Sequence, residues 1–203
     1  MYVFNKIHGN ILKKSKKFPR LHNELKKNGI IQIKKNNLDL FSFLSKTIIS
    51  QQISDKVATK IWEKVSLKLE VKDLKIKNFQ NKGTLIKLLK EVKVSDIKIN
   101  YILGIYDAFK QNNINENQVK KLNEVCLRQC LTNYRGIGRW TCDMVLIFFL
   151  RNLNIFPKND LVINKVSKKI QEIEKQSIDF DELYGPYLSI FSLHLWKMSK
   201  RIL

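Results

Sequence analysis

Apolar residues recur at threes and fours along most of the chain. Between Leu38 and Gln52 they fall at Leu38, Phe41, Leu44, Ile48 and Ile49, and Ala58, Ile61, Trp62, Val65 and Leu69 repeat the spacing. Both segments read as amphipathic helices, with Ser54 and Asp55 as N-cap candidates for the second. The same spacing predicts helices from Leu85 to Glu91, Asp96 to Lys110, Gln118 to Asn133, Arg139 to Asn152, Leu161 to Lys175 and Tyr187 to Arg201. Arg139 to Leu150 is apolar nearly all round, which marks a helix buried on most faces and so the central one. Only 7 glycines and 3 prolines are present, too little turn material for an all-β fold, and no internal repeat or long linker appears. The pattern predicts an all-α chain.

At 203 residues and 44% hydrophobic, the chain can bury a core without disulfides or metals, as one domain or two small packed lobes. Its 38 Lys+Arg against 18 Asp+Glu give a net charge of +20, which points to a polyanion, with nucleic acid favoured over a membrane surface. Only 6 of the cations are arginine and the chain is rich in Asn and Ile, as an AT-rich coding bias would also produce, so the charge is supportive rather than diagnostic. Cys126, Cys130 and Cys142 form no paired Cys-x-x-Cys pattern and read as reduced thiols. His8, His22 and His194 lack metal-ligand spacing, so no zinc is expected. The longest purely apolar run, Met144 to Leu150, is too short for a membrane span, and Met1 to Leu21 lacks the apolar stretch of a signal peptide. A cytoplasmic protein that does not enter a membrane is expected.

Gly136-Ile137-Gly138 places two of the seven glycines within three residues, between two predicted helices. Glycines there let the backbone turn with N–H groups presented at a helix N-terminus, a setting that suits a phosphate, while Ile137 fills the gap between the helices. Gly-x-Gly alone reads more readily as a plain helix–helix turn. Downstream, the loop from Asn154 to Asn159 ends at Asp160, at the predicted start of a helix whose dipole favours the ionised carboxylate. An N-cap aspartate would account for that position by itself.

Context decides between these readings. Tyr134-Arg135-Gly136-Ile137-Gly138-Arg139-Trp140-Thr141 resembles the hairpin of the helix-hairpin-helix DNA glycosylases of the 3-methyladenine type II (alkylpurine) kind. Ile48-Ile49-Ser50-Gln51-Gln52-Ile53-Ser54 is similar to the family's wedge-loop segment, Phe156-Pro157-Lys158-Asn159-Asp160 to its catalytic-aspartate segment, and Gly185-Pro186-Tyr187 to the opening of its C-terminal helix. The four segments occur in the family's order, and the resemblance runs from about Phe18 to Lys200. Two departures are Arg135, where the family usually has proline, and Leu188, where many relatives are polar or basic.

The resemblance implies a two-lobed fold with the active cleft between the lobes. One lobe is expected from residues 1–44 and 156–203, and a middle helical barrel from 45–155, carrying the hairpin at 134–142. It implies Asp160 as the catalytic carboxylate, because breaking a purine N-glycosidic bond builds positive charge on the sugar that a fixed anion offsets. Asp143 is the rival carboxylate, expected in a structural or phosphate-side role. Trp140, Tyr187 and Met144 are implied as the pocket for a flipped base, with an electron-rich ring attracting a cationic alkylpurine. Gln52, with Gln51 beside it, is implied as the wedge that fills the emptied duplex position. Gly136, Ile137, Gly138, Arg139 and Thr141 are implied as the phosphate-binding set. The expected partner is double-stranded DNA carrying a damaged base, and the expected form is a monomer. No cofactor is required beyond a monovalent cation held by hairpin carbonyls. An oxidised-guanine glycosylase of the same superfamily would need a lysine nucleophile, and the hairpin-following position that is lysine in strand-cleaving relatives is Trp140 here. A non-catalytic helix-hairpin-helix DNA-binding module is the remaining alternative. An iron–sulfur member is excluded, because no four-cysteine cluster follows the catalytic segment.

Overall fold

Asp and Asn side chains set the starts of successive helices. Asp39 accepts from Ser42 N–H at 2.8 Å, Asn81 from Thr84 N–H at 3.2 Å, Asn123 from Cys126 N–H at 2.9 Å and Asp160 from Ile163 N–H at 2.9 Å. Each satisfies one of the N–H groups that a helix leaves without a partner in its first turn. The computed structural model describes residues 2–35, 37–69, 75–79 and 81–203, and among them no strand occurs. The elements fall into two compact units: Met1–Lys35 with Leu146–Leu203, and Asn36–Val145.

In Asn36–Val145 the centre is α3 (Leu40–Ser50), buried from Leu40 to Ser45 and from Thr47 to Ile49. It packs against α4 (Asp55–Leu69), α6 (Asp96–Lys110) and α9 (Arg139–Met144), while α5 (Lys82–Glu91) lies on α4 and α6. Burying a side chain such as Leu44 or Ile48 contributes roughly 1.5–3 kcal/mol, and truncating Leu44 to Ala is expected to cost about 2–5 kcal/mol. Ser54 precedes α4 and its carbonyl takes Ala58 N–H at 3.0 Å; the side chain of Asp55 lies outside the described residues. Where one helix was expected from Gln118 to Asn133, the chain forms α7 (Glu116–Val119) and α8 (Glu124–Thr132). The break follows from Asn123, whose side chain caps a new start rather than continuing the old helix. The helix expected from Arg139 to Asn152 stays α-helical only to Met144 and widens to π winding over Val145–Phe149, ending before the left-handed Arg151 (φ 59°).

The other unit contains α1 (Tyr2–Ser15), α2 (Pro19–Asn28), α10 (Leu161–Glu174), α11 (Phe180–Tyr184) and α12 (Leu188–Ile202). Helix α12 packs on α2, α10 and α11. Phe156, Phe180, Tyr184 and Phe191 form a continuous aromatic cluster, closest between Tyr184 and Phe191, whose ring centroids are 3.9 Å apart. The unit boundaries differ from the expected ones. A cut at 44/45 would pass through α3, and residues 146–155 are tied into the α12 unit: Asn152 N–H donates to Leu146 O, Ser189 N–H to Leu153 O and Ile155 N–H to Ser189 Oγ, each at 2.9 Å.

Candidate nucleic-acid interface and catalytic carboxylate

The hairpin lies within Asn36–Val145. Helix α8 ends at Thr132, Tyr134 N–H returns to Leu131 O at 3.2 Å, and Ile137 N–H closes a turn on Tyr134 O at 3.0 Å. Gly136 is left-handed (φ 87°), and a Cβ there would come within 2.4 Å of the Tyr101 ring, so both conformation and space require glycine. Gly138 is the N-cap of α9 and offers no side chain to cap it. Gly138, Arg135 and Arg139 are exposed, whereas Ile137 is buried. Two residues expected at the DNA side serve the hairpin from within. Thr141 is buried, and its Oγ1 accepts from Gln51 Nε2 at 3.1 Å. Gln51, expected beside the wedge, also donates Nε2 to Gly136 O at 2.8 Å, because its side chain folds back across the turn. Gln52 alone of the pair is exposed. The Gly136 and Tyr134 carbonyls already accept protein N–H groups, so a cation at the hairpin would share acceptors with Gln51 and Ile137.

An ion pair staples the two limbs together. Arg128 on α8 donates to Asp143 on α9 at 2.6 Å and to Glu124 at 2.8 Å. Burial works against the guanidinium's charge, but the two carboxylates outweigh it and hold Arg128 above its ordinary pKa. Asp143 thereby links α9 to α8. Beside it, burial pushes the Cys142 thiol up to about 11, which makes it inert at neutral pH. Trp140 is half-buried and Met144 buried.

Asp160 lies in the other unit, buried, with its peptide N–H returning to Pro157 O at 2.9 Å. The loop before it is fixed from two directions. Phe156 stacks with Phe191 at 6.3 Å between centroids, and Asn164 Nδ2 donates to Lys158 O at 2.8 Å. The carboxylate therefore sits on a braced turn at the N-terminus of a 14-residue helix, which it caps by accepting the Ile163 N–H. Lys158, the lysine nearest in sequence, is exposed and paired with Asp181, whose carboxylate raises its pKa instead of leaving it at its ordinary value with a phosphate for partner. Tyr187, half-buried, opens α12 in the same unit as Asp160, whereas Trp140 and Met144 belong to the hairpin's unit.

No family model matches the chain. It is 25% identical over 173 residues to DNA-3-methyladenine glycosylase 1 of Schizosaccharomyces pombe, covering 77% of this chain and 71% of that protein. The structure of that organism's 3-methyladenine DNA glycosylase (Mag1) in complex with abasic DNA matches with a TM-score of 0.75 at 21% identity, over 96% of this chain and 97% of that one. The Clostridium acetobutylicum 8-oxoguanine glycosylase/lyase, in complex with double-stranded DNA, matches at 0.71 and 17% identity, over 97% and 71%. The structural likenesses show the fold. The chain is thus similar in sequence to proteins named DNA-3-methyladenine glycosylase and shares the fold of DNA glycosylases of known structure.

Within this glycosylase fold three functional features escaped the sequence: the inward turn of Gln51, the Arg128–Asp143 staple, and Lys98, whose Nζ donates to Ile49 O at 2.8 Å and Gln51 O at 2.7 Å. Only the Arg128 and Asp143 charges carried a signal, as opposite charges on the two helices flanking the hairpin. Among the described residues no group of three or more His, Cys, Asp or Glu side chains is arranged to hold a metal, and no helix is long and apolar enough to cross a membrane.

Proposed function

We propose that this chain is a base-excision-repair DNA glycosylase that hydrolyses the N-glycosidic bond of an alkylated purine, such as 3-methyladenine or 7-methylguanine, in duplex DNA. The observation that carries the proposal is the sequence relationship to a 3-methyladenine glycosylase across most of both chains, with a buried aspartate at a helix start in the family's catalytic segment. The exposed amides of the hairpin and Arg139 take a backbone phosphate. The damaged nucleotide leaves the stack, Gln52 enters its place, and Trp140, Met144 and Tyr187 receive the base. As the bond to the sugar lengthens, the Asp160 anion offsets positive charge on the deoxyribose and orients the attacking water. An alkylated purine that is already cationic leaves without a strong general acid. The enzyme works as a monomer in the cytoplasm and needs no cofactor; a monovalent cation on the hairpin carbonyls would be structural.

The oxidised-guanine reading finds support in the fold shared with an 8-oxoguanine glycosylase/lyase. Against it stand Trp140 in place of the nucleophilic lysine and Lys158, which its Asp181 partner keeps cationic. Incubation with duplexes that each carry one defined lesion tests the proposal. Alkylated purines are expected to be released as free bases, and release of 8-oxoguanine alone would replace it with the alternative.

A further inference from the structure

Two arrangements meet at helix α6. Lys98 reaches the end of α3, where its ammonium bonds the Ile49 and Gln51 carbonyls at 2.8 and 2.7 Å, the position at which a helix C-terminus attracts a cation. One turn further along the same face of α6, Tyr101 lies under Gly136, where even a Cβ would collide with its ring. Helix α6 thus supports both the turn after α3 and the hairpin turn. Gln51 joins them directly, with Nε2 bonded to Gly136 O and Thr141 Oγ1. Next to it, exposed Gln52 is held left-handed at φ 56°, a conformation unusual for a residue with a side chain and one that persists only where its surroundings dictate it. A single concave surface runs from Gln52 past Lys98 and Tyr101 to Arg135 and Gly136.

We propose that Gln51 and Lys98 are positioning residues for base flipping, which lock the turn bearing Gln52 to the backbone of the hairpin so that phosphate grip and wedge meet DNA as one rigid body. The proposal rests on the glycosylase reading above. A mobile Gln52 turn would have to be ordered during the flip, whereas a locked one brings the wedge to a fixed distance from the phosphate that the hairpin holds. Neither residue touches the reacting sugar, and both act through the place where Gln52 stands. Burial lowers the Lys98 pKa, in keeping with an ammonium held against carbonyls rather than displayed to solvent.

The test uses the intact protein and a duplex carrying one alkylated purine beside 2-aminopurine, whose fluorescence rises as the neighbouring base unstacks. Gln51→Met and Lys98→Met are expected to slow base release at saturating enzyme by roughly 10- to 100-fold, the scale of a misplacement near 1 Å, and to slow the fluorescence rise equally. For Gln51→Met, affinity for undamaged duplex should change by less than about threefold, because the phosphate contacts remain. Lys98→Arg, which keeps the charge and donors, should restore most of the rate. Gln52→Ala should be slow, and combining it with Gln51→Met should add little, since both remove the same wedge. If Lys98→Met is unstable at the assay temperature, the Gln51 and Gln52 variants decide by themselves. Folded single variants with wild-type flipping, or fully additive losses in the double variant, overturn the proposal while leaving the glycosylase reading intact. Wild-type protein that releases no base from any lesion overturns both.

Discussion

Among the described residues each unit buries one aspartate, and the two are built differently. Asp143 is 3% exposed and faces the Arg128 guanidinium, so its charge is matched inside the protein and joins α8 to α9. Asp160 is 7% exposed and accepts the Ile163 N–H as the N-cap of α10. A buried charge matched by a guanidinium holds a fold together. In the proposed reaction the Asp160 carboxylate meets a positive charge that appears only as the glycosidic bond breaks. The hairpin and the carboxylate are thus two kinds of site, one made of backbone and braced by side chains, the other a single side chain braced by backbone.

The contrast is tested most severely by exchanging each aspartate for asparagine. Asp160→Asn can still cap α10, so folding and DNA binding should persist while single-turnover excision falls by about 10³-fold or more. Asp143→Asn should leave excision near normal and lower urea-measured stability by about 1–3 kcal/mol, below the range for a fully buried pair because Arg128 is partly exposed. A collapse of activity in Asp143→Asn at unchanged stability would exchange the two roles. Next in size, Gly136→Val should cost about 1–3 kcal/mol through the Tyr101 collision and the positive φ, and should weaken binding to damaged and undamaged duplexes alike. A loss confined to damaged duplex would place the hairpin in lesion recognition instead.

Unmatched burial also predicts a pH dependence. Burial, together with neighbouring His8 and Lys197, lowers the His194 pKa to about 3, and its ring stacks on His8, itself lowered by burial. The folded state therefore holds these rings neutral. Their contribution to stability is complete above the unfolded histidine pKa near 6.5 and is lost as pH falls from there towards about 3. Urea titrations should show stability falling by about 1.4 kcal/mol per pH unit for one proton taken up on unfolding, and His194→Gln should flatten that slope. The smallest effect concerns the exposed hairpin arginines. Duplex affinity should fall steeply with salt, and Arg135→Ala and Arg139→Ala should each reduce the log–log slope by about 1. A binding constant independent of salt would leave the hairpin without a phosphate and the +20 charge as coding bias.

The fold was legible where apolar spacing was dense, as in α3, α6 and α10, and where glycine marked a turn with positive φ and no room for a side chain, as at Gly136. Helices α1 and α2 were missed because the sequence between Met1 and Asn28 is crowded with lysine and polar residues around few apolar positions. Their buried stripes are short, Ile7 and Ile11 in one and Leu21 and Leu25 in the other. The end of the central helix was misjudged because Val145 to Phe149 is as apolar as an α-helix core, and nothing in composition announces π winding. Gln51 illustrates what sequence withholds: two adjacent glutamines look alike, and only the backbone, helical to Ser50, extended at Gln51 (ψ 134°) and left-handed at Gln52, turns one inward and leaves the other exposed.

The central claim is that the enzyme breaks a glycosidic bond by hydrolysis and leaves the strand intact. The direct measurement is mass spectrometric analysis of the free base and the DNA strand after reaction with a 3-methyladenine or 7-methylguanine duplex, with and without borohydride. The account predicts a free alkylated purine, a strand that breaks only on later treatment with alkali, and no covalent protein–DNA species. A borohydride-trapped adduct that disappears in Lys158→Ala, or the absence of any free alkylated base, would contradict it.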